Sequence, residues 1–335
     1  MSEFVIKKYH SILSVGDEWD DLVKDNIYLT KKFVAFMEKV DQCKQEYYMI
    51  YNNEKLDGVF MMYHRAKYNL TMFTKFKLMM NIKMMYVPLS VTRPGIAYNN
   101  PETLKFALNY ISKMKGPKMV LNLEEKDLDN SYAVGLTCPK CILYNNFKSF
   151  DDYMSSLRSH YRRRYLKAFE KSKALKLYYL SDNKLFSEEM YQCYLNVYNK
   201  SRIRVEKLSI DFFRGDFFKI FVLEHEGKVM GFGQMLENGS ELIFEFVGVN
   251  YEYNNQFDTY HRILLEITRY GIDNGFTTID FGQTADESKL KLGCKYTYLY
   301  AYLHHSNKLI NAIDKKIAHK IEYRPIDIDY NVFKD

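Results

Sequence analysis

The sequence predicts an α/β protein with mixed sheets, arranged as two domains of related layout, and three observations carry that expectation. Phe217–Glu224 (FFKIFVLE), Lys228–Glu237 (KVMGFGQMLE) and Glu241–Asn250 (ELIFEFVGVN) are aromatic and β-branched runs. They are separated by His225-Glu226-Gly227 and Asn238-Gly239-Ser240, both hairpin signals, so they read as an antiparallel meander. Gln256–Asn274 then places Tyr260, Ile263, Leu264 and Ile267 at helical spacing, and Gly275 ends it before a short strand at Thr277–Phe281. Strand, helix and strand in that order imply a right-handed crossover to a parallel neighbour. Finally, Lys55–Met62 aligned on Gly58 matches Lys228–Met235 aligned on Gly231, an offset of 231 − 58 = 173 residues, roughly half the chain. Each copy follows a strand and a turn, which suggests duplicated halves, and the glycine marks a bulge or a close backbone approach.

The elements follow in order. Phe4–Tyr9 reads as a strand, Asp17 as the cap of a short helix through Val23, and Thr30 as the cap of Lys31–Val40. Tyr47–Tyr51 and Lys55–Met62 are strands about a turn at Asn52-Asn53-Glu54. Asn100-Pro101 starts a helix that runs to Lys115 and stops at Gly116-Pro117. Lys118–Leu123 reads as a strand, Asp127–Ala133 as a short helix and Cys141–Phe147 as a strand. A new helix opens at Ser149, which puts the domains at 1–148 and 149–335. Within Ser155–Lys173, Leu157, Tyr161, Tyr165, Ala168 and Phe169 share one helical face, while Arg158, Arg162, Arg163, Arg164 and Lys167 cover the rest. That basic surface reads either as a solvated face or as an anion site, because guanidinium forks match phosphate and carboxylate geometry. Tyr296, Tyr298, Tyr300 and Tyr302 alternate, which reads as four rings on one face of a strand.

A chain of 335 residues, 47% hydrophobic and 27% charged, can bury the cores of two domains. The excess of basic over acidic residues, 48 − 42 = 6, is too small for general nucleic-acid binding unless concentrated, and Ser155–Lys173 is where it concentrates. No run reaches about 18 apolar residues, and MSEFVIKKYH lacks a secretory apolar region, so a cytoplasmic protein with reduced thiols is expected. Cys138-Pro139-Lys140-Cys141 has no second pair, and His304-His305 has no partners at metal spacing; no metal is expected.

Three antiparallel strands feeding one β-α-β unit is similar to the core of the GNAT acyltransferases, where the third meander strand and the post-helix strand splay around the acyl donor. Asn145–Leu157 (NNFKSFDDYMSSL), followed by His160–Tyr165 (HYRRRY), resembles the segment with which FemAB-like members of the GNAT superfamily open their second domain. The likeness continues through Tyr194–Ser201, Val205–Phe213, Gly227–Gly233, Gly275–Thr284 and Lys289–Gly293, and more loosely at Leu29–Glu38. It covers nearly all of the second half. The resemblance implies tandem GNAT-like domains with the active groove mainly in the second. It also implies acyl-CoA or aminoacyl-tRNA as donor, and an amine of a cell-envelope (peptidoglycan) precursor, amino acid or small metabolite as acceptor. The sequence departs from acetyl-CoA-binding members at Tyr251–Tyr260 (YEYNNQFDTY), which has no glycine where they carry a Q/R-x-x-G-x-G/A phosphate cradle. The inserted coiled arm of some FemAB-like proteins is also missing.

N-acyl transfer needs a neutral amine, a base, and donors for the oxyanion, and direct attack needs no enzyme nucleophile. Val247, Gly248 and Val249, with Tyr260 on the following helix, are the candidate donor-binding residues, and Arg162 and Arg164 are candidates for its anionic groups. Gln283 and Lys289 follow the post-helix strand, at the carboxyl end where open sheets bind ligands. Glu245, Glu206 and His261 are the candidate bases. A carboxylate in the apolar run LIFEFVGV is placed for proton transfer, although Glu241 and Glu245 share a strand parity and read equally as outward-facing. Two other classes fit the same residues: a binding protein that kept the groove without the chemistry, and an RNA-binding protein using residues 155–173.

Overall fold

A computed structural model describes residues 3–23, 26–40, 44–87, 92–204 and 207–334. The chain runs β1 (Phe4–Tyr9), α1 (Glu18–Val23), α2 (Lys31–Val40), β2 (Lys44–Asn52), β3 (Lys55–Asn69), β4 (Met79–Met85), β5 (Ile96–Tyr98), α3 (Pro101–Ser112), β6 (Pro117–Leu123) and β7 (Ala133–Leu136). It continues through β8 (Lys140–Tyr144), α4 (Phe150–Ser156), α5 (Ser159–Lys171), β9 (Lys176–Tyr179), α6 (Glu188–Lys200), α7 (Ile210–Phe213), β10 (Phe218–His225), β11 (Lys228–Asn238) and β12 (Glu241–Val249). The last elements are α8 (Tyr251–Phe257), α9 (Thr259–Asp273), β13 (Thr278–Asp280), α10 (Asp286–Leu290), β14 (Lys295–Thr297), β15 (Tyr300–His305) and α11 (Lys308–Ile321).

Two compact units result: Met1–Pro139 with Thr297–Pro325, and Lys140–Tyr296 with Ile326–Asp335. The first sheet has the order β1-β2-β3-β4-β6-β15-β7, with β5 pairing β3, and the second has β9-β10-β11-β12-β13-β8-β14. The two orders match position by position. In both, the fourth and fifth strands pair parallel and the sixth pairs antiparallel to the fifth. The sixth strand is exchanged: β15, late in the chain, completes the first sheet, and β8, from mid-chain, completes the second. The chain therefore passes between units at 139/140, 296/297 and 325/326, where a single division at 148/149 was expected.

The glycine-aligned hairpins agree in register as well as in sequence. Ile50 pairs Gly58 and Tyr51 pairs Leu56, while Leu223 pairs Gly231 and Glu224 pairs Val229, so both carry a bulge at the same place. Each glycine admits a helix. A Cβ on Gly58 would lie 2.5 Å from Thr103 Cγ2 of α3, and one on Gly231 would lie 2.9 Å from Thr259 Cγ2 of α9. Behind these contacts α3 buries Leu104, Leu108 and Ile111 against Tyr48, Ile50 and Phe60. In the second unit α9 buries Ile263, Leu264 and Ile267 against Phe221, Leu223 and Leu242, with Tyr165 of α5 joining the same core. Each such side chain contributes about 1.5–3 kcal/mol.

Three local expectations are corrected. Asp127–Ala133 is not helical; Asp129 Oδ1 accepts from Ser131 N at 2.8 Å, and this turn displaces a helical ladder. The basic segment is not one helix. The Ser155 and Ser156 hydroxyls donate back to the carbonyls of Asp152 and Tyr153, and the chain becomes extended at buried Leu157, which bridges Phe333, before α5 begins. The four alternating tyrosines do not share a strand either: Tyr296 lies in β14, Tyr300 and Tyr302 lie in β15, and the passage between units falls at 296/297.

Candidate active site

The site is built where β12 outruns its parallel partner. Pairing with β13 covers Glu241 with Thr278, Leu242 with Ile279 and Ile243 with Asp280, and then stops. Beyond it, Phe281 N donates to Cys141 O at 2.8 Å and Cys141 N to Gly282 O at 3.1 Å, so the chain after β13 stays with β8. Residues 244–249 of β12 are left without a strand on that side among the described residues. This is the splayed pair that the sequence suggested.

Ladder parity fixes what this edge offers. Asn250 N donates to Met230 O at 2.9 Å, and the register Gly248–Phe232 and Phe246–Gln234 continues the same hydrogen-bonded series. Val247 and Val249 are the alternate positions, so their N–H groups face the opening. Between Phe246, opposite Gln234, and Phe244, opposite Met235, Glu245 has no counterpart on β11. Glu245 is therefore the extra residue of a β-bulge, half-buried, and the parity argument that grouped it with Glu241 does not apply. Gly248 lies against the opposite face, where a Cβ would come within 2.1 Å of the Phe232 ring.

The far side of the opening is a strained turn. Gly282 has φ +70°, and Thr284 and Ala285 have φ +64° and +51°, left-handed values that a β-branched residue rarely takes. Buried Lys289 donates from Nζ to Gln283 O at 2.7 Å, which braces this turn, so Lys289 acts on the groove through Gln283. Beside it, buried Asp286 accepts from Tyr296 Oη at 2.7 Å; burial first, then this hydrogen bond, pushes the Tyr296 phenol up. Cys141 is fully buried and its thiol is pushed up to about 12 by burial, which Lys289 only partly offsets, so it does not serve as a nucleophile at neutral pH. Sequence reading missed the paired positive-φ residues, for which Gly282 was the one signal.

Comparison with known proteins fits this geometry. Residues 155–290 match the family model of the acetyltransferase (GNAT) domain. FemX superposes with a TM-score of 0.56 at 11% identity, covering 92% of this chain and 100% of that one. L-PGS from Bacillus licheniformis gives 0.53 at 11% identity over 92% and 98%. A tandem GNAT protein from the clavulanic acid biosynthesis pathway gives 0.50 at 8% identity over 91% and 99%. The second unit therefore carries a GNAT acetyltransferase domain, and the chain as a whole shares its fold with FemX and with the tandem GNAT protein. No curated protein matches its sequence.

The GNAT fold typically uses acyl-CoA, and the start of α9 is where a phosphate cradle would sit. Here the expected single helix 256–274 is divided into α8 and α9 by Asp258 at φ +53°. The amides nearby are already engaged: Tyr260 N by Asn254 Oδ1 at 3.1 Å and Arg262 N by Asp258 O at 3.0 Å. Asp258 also puts a carboxylate at that helix end. Its Oδ1 lies 2.7 Å from His261 Nδ1, and His261 Nε2 lies 2.7 Å from Arg164 Nη2. The hydrogen bond from His261 holds the Asp258 carboxyl below its ordinary range, against partial burial and with help from Lys171 and Arg164. Lys171 Nζ donates to Asn255 O at 3.0 Å. These residues do not form a pyrophosphate cradle of the glycine-rich type.

The remaining candidates fall as follows. Arg162 is half-buried on α5 and Arg164 is tied to His261, so the two arginines do not act as a matched pair. Tyr260 packs beside the second core, and burial pushes its phenol up. Glu206 lies outside the described residues. Sequence reading also missed Gln234 on β11, which is fully buried with neither amide atom hydrogen-bonded. It lies opposite Phe246, whose ring meets Tyr194, Phe212 and Phe213. Among the described residues no group of three or more His, Cys, Asp or Glu side chains could hold a metal, and no helix is long and apolar enough to cross a membrane.

Proposed function

We propose that the second unit transfers an acyl or aminoacyl group to an amine of a cell-envelope precursor, amino acid or small metabolite. The observation that carries this is the open β12 edge, with the outward N–H groups of Val247 and Val249 beside the bulged Glu245. The acceptor nitrogen attacks the donor's carbonyl carbon, and the developing oxyanion takes the Val247 N–H. Glu245 takes the proton from nitrogen, the tetrahedral centre collapses to an amide as its bond to oxygen or sulfur breaks, and Glu245 returns that proton to the departing atom. Binding and orientation of the two reactants supply the rest of the rate.

An aminoacyl-tRNA is the donor favoured by the α8–α9 junction, since Asp258 would oppose a pyrophosphate there, whereas Arg163 and Lys167 on α5 stay exposed to a nucleic-acid backbone. The same junction supports a second reading, a protein that binds a ligand in the groove without turnover. Single-turnover assays with charged tRNA and with acyl-CoA, each with Glu245→Gln beside the parent, test both. Amide formation from charged tRNA, slowed at least ~100-fold by Glu245→Gln, is expected. Formation from acyl-CoA alone would overturn the donor assignment. Saturable binding of either donor, read as a stability gain of about 2.7 kcal/mol at 100 times the dissociation constant, but without amide formation, would favour the second reading.

A further inference from the structure

The tip of the β3–β4 hairpin, residues 70–78, is a different kind of surface from the groove. From Gly58 to Pro101 the chain has no Asp or Glu, and Lys67, Lys75 and Lys77 project around this tip, all exposed. Between the last two, Phe76 is 82% exposed, followed by Leu78 at 49% and Met79 at 43%. An aromatic ring left in water costs stability, yet this one is held there by a built knot. Leu70 N donates to Leu78 O at 2.9 Å, Thr71 Oγ1 to Phe76 O at 2.8 Å, Leu78 N to Thr71 Oγ1 at 3.0 Å, and Phe76 N to Thr74 Oγ1 at 3.1 Å. These bonds pair the backbone of Phe76 and Leu78 within the tip itself, which lowers the cost of moving these two residues out of water. Its base adjoins a shallow apolar pocket open to solvent, with Leu70, Met72 and Phe73 on one side and Leu121, Leu303 and Ile321 on the other.

We propose that this tip docks on an anionic lipid bilayer, with Phe76, Leu78 and Met79 entering the interface and Lys67, Lys75 and Lys77 lying against headgroups. Apolar insertion and headgroup attraction act together: each cation near an anionic surface adds about a fivefold gain, and apolar area sets the depth. A duplex backbone would use the lysines and leave Phe76 idle, and a single strand could stack a base on Phe76 but offers nothing to the exposed aliphatic Leu78 and Met79. The inference does not depend on the acyl-transfer reading, because vesicle binding is measured without substrates.

The test is co-sedimentation of the full chain with phosphatidylcholine vesicles and with mixed phosphatidylglycerol–phosphatidylcholine vesicles. Binding to the mixed vesicles alone is expected, weakened about 30-fold by Lys75→Gln with Lys77→Gln and at least ~10-fold by Phe76→Ser with Leu78→Ser. All four positions are exposed, so these variants should keep the parent's thermal unfolding profile. Phe76→Trp adds a direct readout. Trp19, the one natural tryptophan, is fully buried, so a blue shift on adding mixed vesicles reports the tip. Binding that depends on the lysines but not on Phe76 and Leu78 would show a general polyanion patch and overturn the proposal. So would equal binding to both vesicles, or none.

Discussion

Arg164 Nη2 lies 2.7 Å from His261 Nε2, and because a guanidinium can only donate, that ring nitrogen must accept. The other nitrogen then carries the hydrogen and gives it to Asp258. Both nitrogens are occupied, so the imidazole is a link between α5 and the start of α9, and it has no lone pair for a substrate proton. His261→Gln is therefore expected to leave turnover within about threefold of the parent while losing about 1 kcal/mol of stability, one partly exposed hydrogen-bonded link. Turnover slowed by ~100-fold or more, with unchanged unfolding, would return His261 to the role of base.

The same link predicts an acid limb of stability. The folded Asp258 carboxyl titrates below its ordinary value of 3.8, so its contribution is complete above that pH. It is lost as the pH falls below 3.8 towards the folded value, where the native state must take up a proton that the unfolded chain already holds. Asp258→Asn keeps a residue that tolerates the left-handed conformation and removes the titration. Urea midpoints measured from about pH 5 downward should fall less steeply for the variant than for the parent. Parallel curves would mean that Asp258 carries no such coupling.

Much of this architecture was readable because it rests on short-range signals. The paired hairpins were visible through Gly58 and Gly231, since close helix approach leaves a glycine in the sequence. Asn100-Pro101 announced α3, and the side chain of Asn100 does accept from Glu102 N. Long-range exchange leaves no such mark. Nothing local distinguishes β8 and β15 from strands that stay with their neighbours, so the division at 148 and the single tyrosine strand followed naturally and failed together. At the site, the splay was legible from strand order, whereas the bulge at Glu245 was hidden because one inserted residue changes strand parity without changing composition. Asp258 was read as helix interior because a single αL residue hardly disturbs a 3.6-residue pattern.

The two hairpin glycines should not be equally replaceable. A Cβ at Gly231 meets backbone, 2.6 Å from Gly248 O, as well as Thr259 Cγ2 and Ile263 Cδ1. At Gly58 the tight contact is a side-chain methyl of Thr103, and the nearest backbone atom, Ala97 O, is 3.5 Å away. Gly231→Ala should cost about 1–3 kcal/mol and, by pushing on Gly248, also disturb the open edge of β12. Gly58→Ala should cost less. Urea unfolding orders the two, and a larger cost at Gly58 would contradict the backbone contact.

Gln234 supplies the sharpest separation of stability from function. Its amide is fully buried, opposite Phe246 on the splayed strand, with neither atom hydrogen-bonded, and an unmet buried polar group costs roughly 1–3 kcal/mol. A residue retained at that cost for packing alone should be improved by an apolar one of similar volume. Gln234→Leu is accordingly expected to raise stability by about 1 kcal/mol or more. If the amide meets the acceptor substrate when the groove is filled, the same change should raise the acceptor KM at least ~10-fold and leave the donor KM unchanged. Thermal unfolding and steady-state kinetics with each substrate varied in turn give the two answers independently. Greater stability with an unchanged acceptor KM would remove Gln234 from the site, and lower stability would mean that its amide is already satisfied within the fold.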